Sequence, residues 1–390
     1  KINKDNSVLY KVFNRDFSSS FLRGTIDKGM YIDNSRDNSA THYSTNIPGN
    51  AEKSMKTLKK EIYDSRTEII TNVENRINEL SLSVLDDTKE KIKPVILPYL
   101  ARNDKVNSKP TLNVLISAKD DLTLLDQTSA RFFFQLPSCF ADDYQEFIDL
   151  FLNNKGLIPW FPSVLIGQDY AAAVDILQRT QPKLIVTNNT GIAYEAYKRG
   201  IDWIAGPFLN IVNSYSLLCL KEEFNAYGSF ISNEVSKDQI IKIRTPDNFE
   251  LYYSIYHPLL LMTSRQCLIH QVEQCEKEIL DEDCIHQCER CSSITNLKNV
   301  SQLIEKSRGN YHELYSDINF LNPDIVTDLP DMFTGFFIDL REIKTDTRVE
   351  IDKIGVIEVF ENFLNGKSEA KVELSKRIHP STNAQYQKGI

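Results

Sequence analysis

The amino-acid sequence predicts an α/β fold of the (β/α)8-barrel type, with a cysteine-rich insertion between strands seven and eight and an N-terminal helical connector. Three observations carry this expectation. Seven short apolar runs, 112–117, 131–136, 157–161, 183–187, 202–205, 229–232 and 250–255, begin 19 to 27 residues apart, which is room for a strand, a helix and two short loops. An eighth run, 336–340, comes only after a segment dense in cysteine. The competing arrangement, an open doubly wound sheet, should carry a GxGxxG turn, and none is present.

Ahead of the first strand the pattern is different. Residues 1–50 are rich in Asn, Asp, Ser and Gly without a sustained period and read as a short strand followed by loops that pack on something else. From 51 onward Met55, Leu58, Ile62, Ile69, Val73, Ile77 and Leu80 recur at helical spacing, as an amphipathic helix or helix pair requires. Pro94 and Pro98 interrupt its second part, and the polar run 102–110 reads as a linker. The expected divisions are therefore 1–50, a connector over 51–110, a barrel over 111–345 with its insertion at 256–330, and a helix and tail over 346–390.

Composition bounds the function. With 390 residues, 41% hydrophobic and 25% charged, the chain has the makeup of a folded globular protein. Its most apolar run, 201–220, is broken by Asp202, Asn210 and Asn213, so no membrane partner is expected. A formal net charge of −9 argues against broad non-specific binding of nucleic acid and leaves room only for a local basic patch. The first residues carry neither Met nor a signal-peptide pattern, as expected of a piece of a longer chain. Clustered thiols point to a reducing compartment, the cytoplasm.

In a barrel of this type functional groups sit just past the C-terminal ends of the strands. The polar residues there are Ser117, Lys119, Asn188, Asn189, Asn210, Asn233, Glu234, His257, Asp339 and Arg341. Asn188, Asn210, Glu234, His257 and Arg341 are the catalytic candidates, expected near one another. The competing role for any single Asn or Asp at such a turn is capping of the next helix.

Five of the seven cysteines, Cys267, Cys275, Cys284, Cys288 and Cys291, fall within 25 residues. A chain of this size does not need disulfide staples, so the cluster reads as a site for a soft metal, with four ligands and one thiol left over. Spacing leaves zinc and an iron–sulfur cluster both open, and His270 or His286 could enter a zinc site. Cys139 and Cys219 sit in apolar surroundings and are expected as buried structural thiols. Trp160 and Trp203, in predicted strands, are expected in the core.

The run HPLLLMTSRQCLIHQVEQC, continued by the CxxxC of Cys284 and Cys288, resembles the cysteine signature of the bacterial collagenase-like peptidase family, family U-thirty-two. Upstream, TNNTGIAYEAYKRGIDWIAGPFLNIVNSYSL and SFISNEVSKDQI are similar to that family's Asn/Gly turn and to its "lS.E.s" segment; downstream, FFIDLREIKTDT resembles its last strand. VFNRDFSSSFLRG resembles the closing motif of one family unit, and NAQYQKGI a degenerate second copy. The resemblance implies that residues 1–50 are the tail of a preceding unit, in the layout of long members acting on ribosomal RNA. It implies oxygen-independent hydroxylation of a pyrimidine in ribosomal or transfer RNA, with prephenate as a required metabolite. It further implies a 4Fe-4S cluster on Cys267, Cys275, Cys284 and Cys288, with Cys291 as substitute. Many members carry one more cysteine in the stretch matching 310–321, where this chain has none, and a two-unit protein could keep its catalytic cluster in the missing first unit.

Two other functions stay open from sequence. A cysteine peptidase would pair Cys267 with His270 or Cys284 with His286. A zinc-stapled scaffold would bind partners without catalysis.

Overall fold

The computed structural model describes residues 109–389, apart from 274, 276–281 and 297–298. The segments expected over 1–50 and 51–110 lie outside these but for the last two residues. Seven strands come first: β1 (Thr111–Ile116), β2 (Arg131–Gln135), β3 (Ile158–Phe161), β4 (Leu184–Thr187), β5 (Asp202–Ala205), β6 (Gly228–Phe230) and β7 (Glu250–His257). The insertion supplies β8 (Leu260–Ser264), β9 (Arg290–Thr295), β10 (Ser301–Lys306), β11 (His312–Tyr315) and β12 (Asn319–Leu321), and β13 (Gly335–Asp339) follows it. β1 to β7 pair in sequence, all parallel, and β13 pairs with β1 on one edge and β7 on the other. The eight strands therefore close into a barrel, which excludes the open sheet. Each predicted strand lies within two residues of the observed one.

A 3-10 helix over Lys119–Asp126 stands outside β1, and α1 (Tyr144–Asn153), α2 (Gln168–Thr180), α3 (Thr190–Arg199), α4 (Ser214–Glu222) and α5 (Lys237–Ile240) follow the next strands. Local chemistry sets several starts. Asn189 accepts from Ile192 N at 3.1 Å, Asn213 from Ser216 N at 2.9 Å, and Ser236 with Gln239 forms a capping box. The insertion holds α6 (Leu268–Glu273), α7 (Glu282–Gln287) and α8 (Asp324–Asp328); after β13 come α9 (Lys353–Leu364), α10 (Ser368–Arg377) and α11 (Ala384–Lys388). Strand pairs add to both ends of this tail: β14 (Arg348–Val349) with β15 (Ile378–His379), and β16 (Ser381–Thr382) alongside β12.

The barrel interior is filled by one buried side chain from each strand, Leu115, Phe133, Trp160, Val186, Ile204, Phe230, Tyr252 and Phe337. Five of the eight are aromatic. Trp160 stacks on Phe337 with ring centroids 4.9 Å apart, and Phe230 on Tyr252 at 5.4 Å, so large rings occupy the space that branched aliphatics fill in most barrels. Alternate residues such as Phe132 and Phe134 point outward into the second, larger core beneath the helices. The rings need small neighbours: a Cβ on Gly335 would stand 2.9 Å from the Tyr252 ring, and one on Gly228 2.6 Å from Glu250 O.

Trp160 and Trp203 are both buried, as expected, and Trp203 Nε1 donates to Phe224 O at 3.0 Å. Cys139 is buried but Cys219 is exposed. Its helix turns Leu217 and Leu218 inward, and one further step of about 100° carries residue 219 to solvent.

Phe337→Ala should cost about 3–5 kcal/mol, the range for deleting a buried ring, since Trp160, Phe133 and Phe230 all pack on it. Urea unfolding followed by tryptophan fluorescence checks this; an unchanged midpoint would deny Phe337 its place in the interior layer.

Candidate functional site

β7 and β13 lie side by side and end together at the barrel mouth, with Ile338 opposite Tyr256. Asp339 is the last residue of β13, and Arg341 folds back onto it. The guanidinium grips the carboxylate through Nε at 3.0 and 3.1 Å and Nη2 at 2.7 Å, while Arg341 N donates to the same carboxylate at 3.1 Å. Their side chains are 13% and 7% exposed, which makes this a bidentate pair largely removed from water. Burial works against the charge on Arg341, and Asp339, with Tyr315 and Glu313, outweighs it and holds its pKa above the ordinary value. His257 lies beside them, its Nδ1 3.1 Å from Ser254 Oγ and its ring 4.9 Å from that of Phe320. Burial pushes His257 down to about 4, against the pull of Asp339 and with the help of Arg341. The imidazole is therefore neutral at pH 7.

Of the five catalytic candidates, His257 and Arg341 act on one another at the end of β7 and β13. Asn188, at the end of β4, is buried and accepts from Phe208 N at 2.9 Å, so it braces the loop after β5. Asn210 is exposed and left-handed, at φ 54°, and Glu234 is exposed after β6. Among the neighbouring candidates Asn189 is a helix cap, Asn233 is buried on Ser254 O at 2.8 Å, and Lys119 is an exposed ion-pair partner of Glu146.

The cysteine-bearing insertion folds as a four-stranded antiparallel sheet, ordered β8-β11-β10-β9, that roofs this part of the mouth. Cross-strand partners share a face. Glu305 faces Glu313, and Leu303 faces Tyr315; Tyr315 donates to Glu313 at 2.6 Å and Ser307 to Glu305 at 3.0 Å. Burial raises the Glu305 pKa, as does Glu313, whereas Ser307, Arg341 and Lys344 lower it. This face therefore looks toward the Arg341–Asp339 pair. The next residue along, Lys306, points to the opposite face.

Lys306 is 1% exposed. Its ammonium donates to Ile285 O at 2.8 Å, Cys288 O at 3.2 Å and Ser307 O at 2.8 Å, and among the described residues no carboxylate lies within ion-pair distance of it. Burial lowers its pKa, and Cys288, Cys139, Cys267 and Cys284 act in the opposite sense. Four thiols thus act electrostatically on one buried cation. Cys284 lies within α7 and Cys288 just past its end; Cys267 precedes α6 and accepts from His270 N at 3.2 Å. Cys139 comes from the loop after β2, which is tied to the insertion by Cys139 N to Gly309 O at 2.7 Å. Cys291 is exposed on β9 opposite Glu305, so the sheet separates it from the thiols around Lys306. Cys275 is partly buried.

Among the described residues no group of three or more His, Cys, Asp or Glu side chains is placed to hold a metal ion. The thiols are soft donors of the kind such a group takes, but the described side chains are not gathered into a ligand set. His270 Nδ1 is buried without a hydrogen-bond partner among the described residues, and His286 is partly exposed on α7. Sequence reasoning missed Lys306, Cys139 and the Glu305–Glu313 pair. No motif marks them; only the register of β9, β10 and β11 does. A surface hollow of about 1060 Å³ lined by Arg348, Glu373, Arg377 and His379 shares no residue with either face of the roof.

Fold and site together define a closed α/β barrel with a thiol-bearing roof, and no helix among the described residues is long and apolar enough to cross a membrane. No family model, curated protein or solved structure matches the chain.

Arg341→Met should destabilise the protein by about 3–5 kcal/mol by leaving a buried carboxylate unpaired, and adding Asp339→Asn should recover much of the loss. Chemical denaturation of both single variants and the double variant reads this directly; a double-variant loss equal to the sum of the single losses would mean the pair is not coupled. Because His257 titrates lower when folded than unfolded, the unfolded chain takes up more protons between about 4 and 6.5. Stability should therefore fall as pH drops through that window, and less steeply in His257→Gln. Parallel pH profiles for variant and parent would refute the assignment.

Proposed function

We propose that the chain is the barrel lobe of an iron–sulfur enzyme that modifies RNA, hydroxylating a pyrimidine in ribosomal RNA, with the cluster on Cys267, Cys275, Cys284 and Cys288. The metal part rests on the resemblance, with support from one observation: the thiols of Cys288, Cys267 and Cys284 all act electrostatically on the buried ammonium of Lys306, which donates to Cys288 O at 3.2 Å. Such a group supplies electron transfer that no side chain offers. Barrels of this fold carry chemistry at this end of their strands, and the insertion is built onto that end here.

The nucleic-acid part rests on the resemblance, with support from the loop after β5. Phe208, Val212 and Tyr215 flank Asn210 there and are all exposed, Phe208 at 53% and Tyr215 at 54%. Exposed rings on a mouth loop offer stacking surface to an unpaired base. Prephenate as co-substrate rests on the resemblance alone. Of the two pairings a peptidase would use, Cys267 is met by the backbone N–H of His270, whose ring Nδ1 has no partner among the described residues.

Anaerobically purified protein should be brown and carry about four irons per chain, and loss of the parent gene should remove one hydroxycytidine from large-subunit ribosomal RNA. A full-length copy with Cys267→Ser should fail to restore it, and casein should remain uncut. Colourless protein holding stoichiometric zinc, or an unchanged nucleoside profile, would overturn the corresponding part of the proposal.

A further inference from the structure

We infer that the barrel rim formed by the loop after β5 and the segment after α5 is a docking surface for single-stranded RNA, on which Phe208 and Tyr215 stack against unpaired bases while Lys242 and Arg244 take phosphates of the same strand. This deepens the reading of the chain as an enzyme acting on RNA and rests on it. The backbone that carries the rings is tied down along its length. Gly206 N donates to Thr187 O at 2.9 Å and Phe208 N to the buried Asn188 Oδ1 at 2.9 Å, and a Cβ on Gly206 would collide with that same oxygen. Asn210 turns the chain in a left-handed conformation, Ile211 O accepts from Ser232 N at 3.0 Å, and Asn213 caps α4 by accepting from Ser216 N. Between these ties Phe208 and Tyr215 keep about half of their surface in water. An unrestrained loop could turn such rings inward and gain by their burial; held out in this way, they meet a ligand already in place.

The cations come from the next loop round the barrel. Arg244 N donates to Ser214 Oγ at 2.9 Å, and Ser214 precedes Tyr215 in the first turn of α4. The segment after α5 is thereby fastened beside the ring. It reads IKIR over 241–244, with Ile243 buried, Lys242 exposed and Arg244 partly so. Rings beside cations suit a single strand, whose bases stack on aromatic faces while its backbone follows positive charge. In a chain of net charge −9 these two residues supply the local positive charge that phosphate contacts require. An apolar protein partner would need the rings and not the cations, and a duplex keeps its bases stacked on one another.

Fluorescence anisotropy of a labelled, pyrimidine-rich single-stranded RNA of about a dozen nucleotides, titrated with the full chain at several salt concentrations, separates the two roles, and urea unfolding reports on the fold. Phe208→Ala and Tyr215→Ala should each weaken binding about fivefold or more at unchanged salt dependence, whereas Phe208→Tyr and Tyr215→Phe, which keep a ring, should bind as the parent does. Lys242→Gln and Arg244→Gln should each reduce the steepness of log affinity against log salt by about 0.7. Equal affinity in parent and Ala variants, or unchanged steepness in both Gln variants, would overturn the rim and leave RNA modification standing. Ala variants that lose stability and not affinity would also overturn it, assigning the rings to packing against a protein surface. A parent chain without affinity for the RNA would overturn both the rim and the nucleic-acid part of the function. Rim-dependent binding by a protein whose loss leaves ribosomal RNA unchanged would uphold the rim and sink the hydroxylase.

Discussion

The seam between barrel and roof depends on an ion pair shut away from water. Asp339 ends the strand that closes the barrel, and Arg341 clasps it through two nitrogens. Neither charge could be kept in that place alone, so the end of β13 and the turn after it are held in a single geometry. Glu313 and Tyr315 of the roof act on the same guanidinium, which extends the constraint from the barrel to the inserted sheet. His257, neutral and packed on Phe320, fills the remaining side.

Above this seam the sheet works as a partition. Strand geometry sends successive side chains to opposite faces, and the chain places Glu305 and Lys306, opposite in charge, at consecutive positions on β10. Carboxylates thereby gather with Arg341, and the ammonium gathers with the thiols. The same rule divides the cysteines, since Cys291 pairs with Glu305 and not with Lys306. A slip of one residue in β10 would exchange the two sets and carry Lys306 away from the carbonyls that hold its ammonium.

How far the sequence could be read follows from how completely its elements are buried. The eight barrel strands are covered on both faces, so VLI, FFF and LIV stand out as continuous apolar runs bounded by polar turns. The roof strands are half exposed and polar, as in RCSSIT and SQLIEK, and give no such run. Capping competed successfully for Asn189 and Asn213 because an Asn before a helix finds an unpaired N–H in its first turn. The approach of Cys139 to the insertion was out of reach, since it depends on a loop contact between residues 139 and 309. The thiol cluster itself was legible because cysteine is rare enough that local density is a signal.

The position of β13 in the chain has a consequence for how the molecule is made. β1 and β7 share it as their common partner, yet it is separated from β7 by the whole insertion. As the chain emerges during synthesis, seven parallel strands wait with two open edges until residue 339 has been added. The roof, whose strands pair antiparallel with near neighbours, can form in that interval. Until β13 is complete both edges carry the unpaired N–H and C=O groups that expose a parallel sheet to misassembly, so closure of the barrel is the last of its strand pairings to become possible.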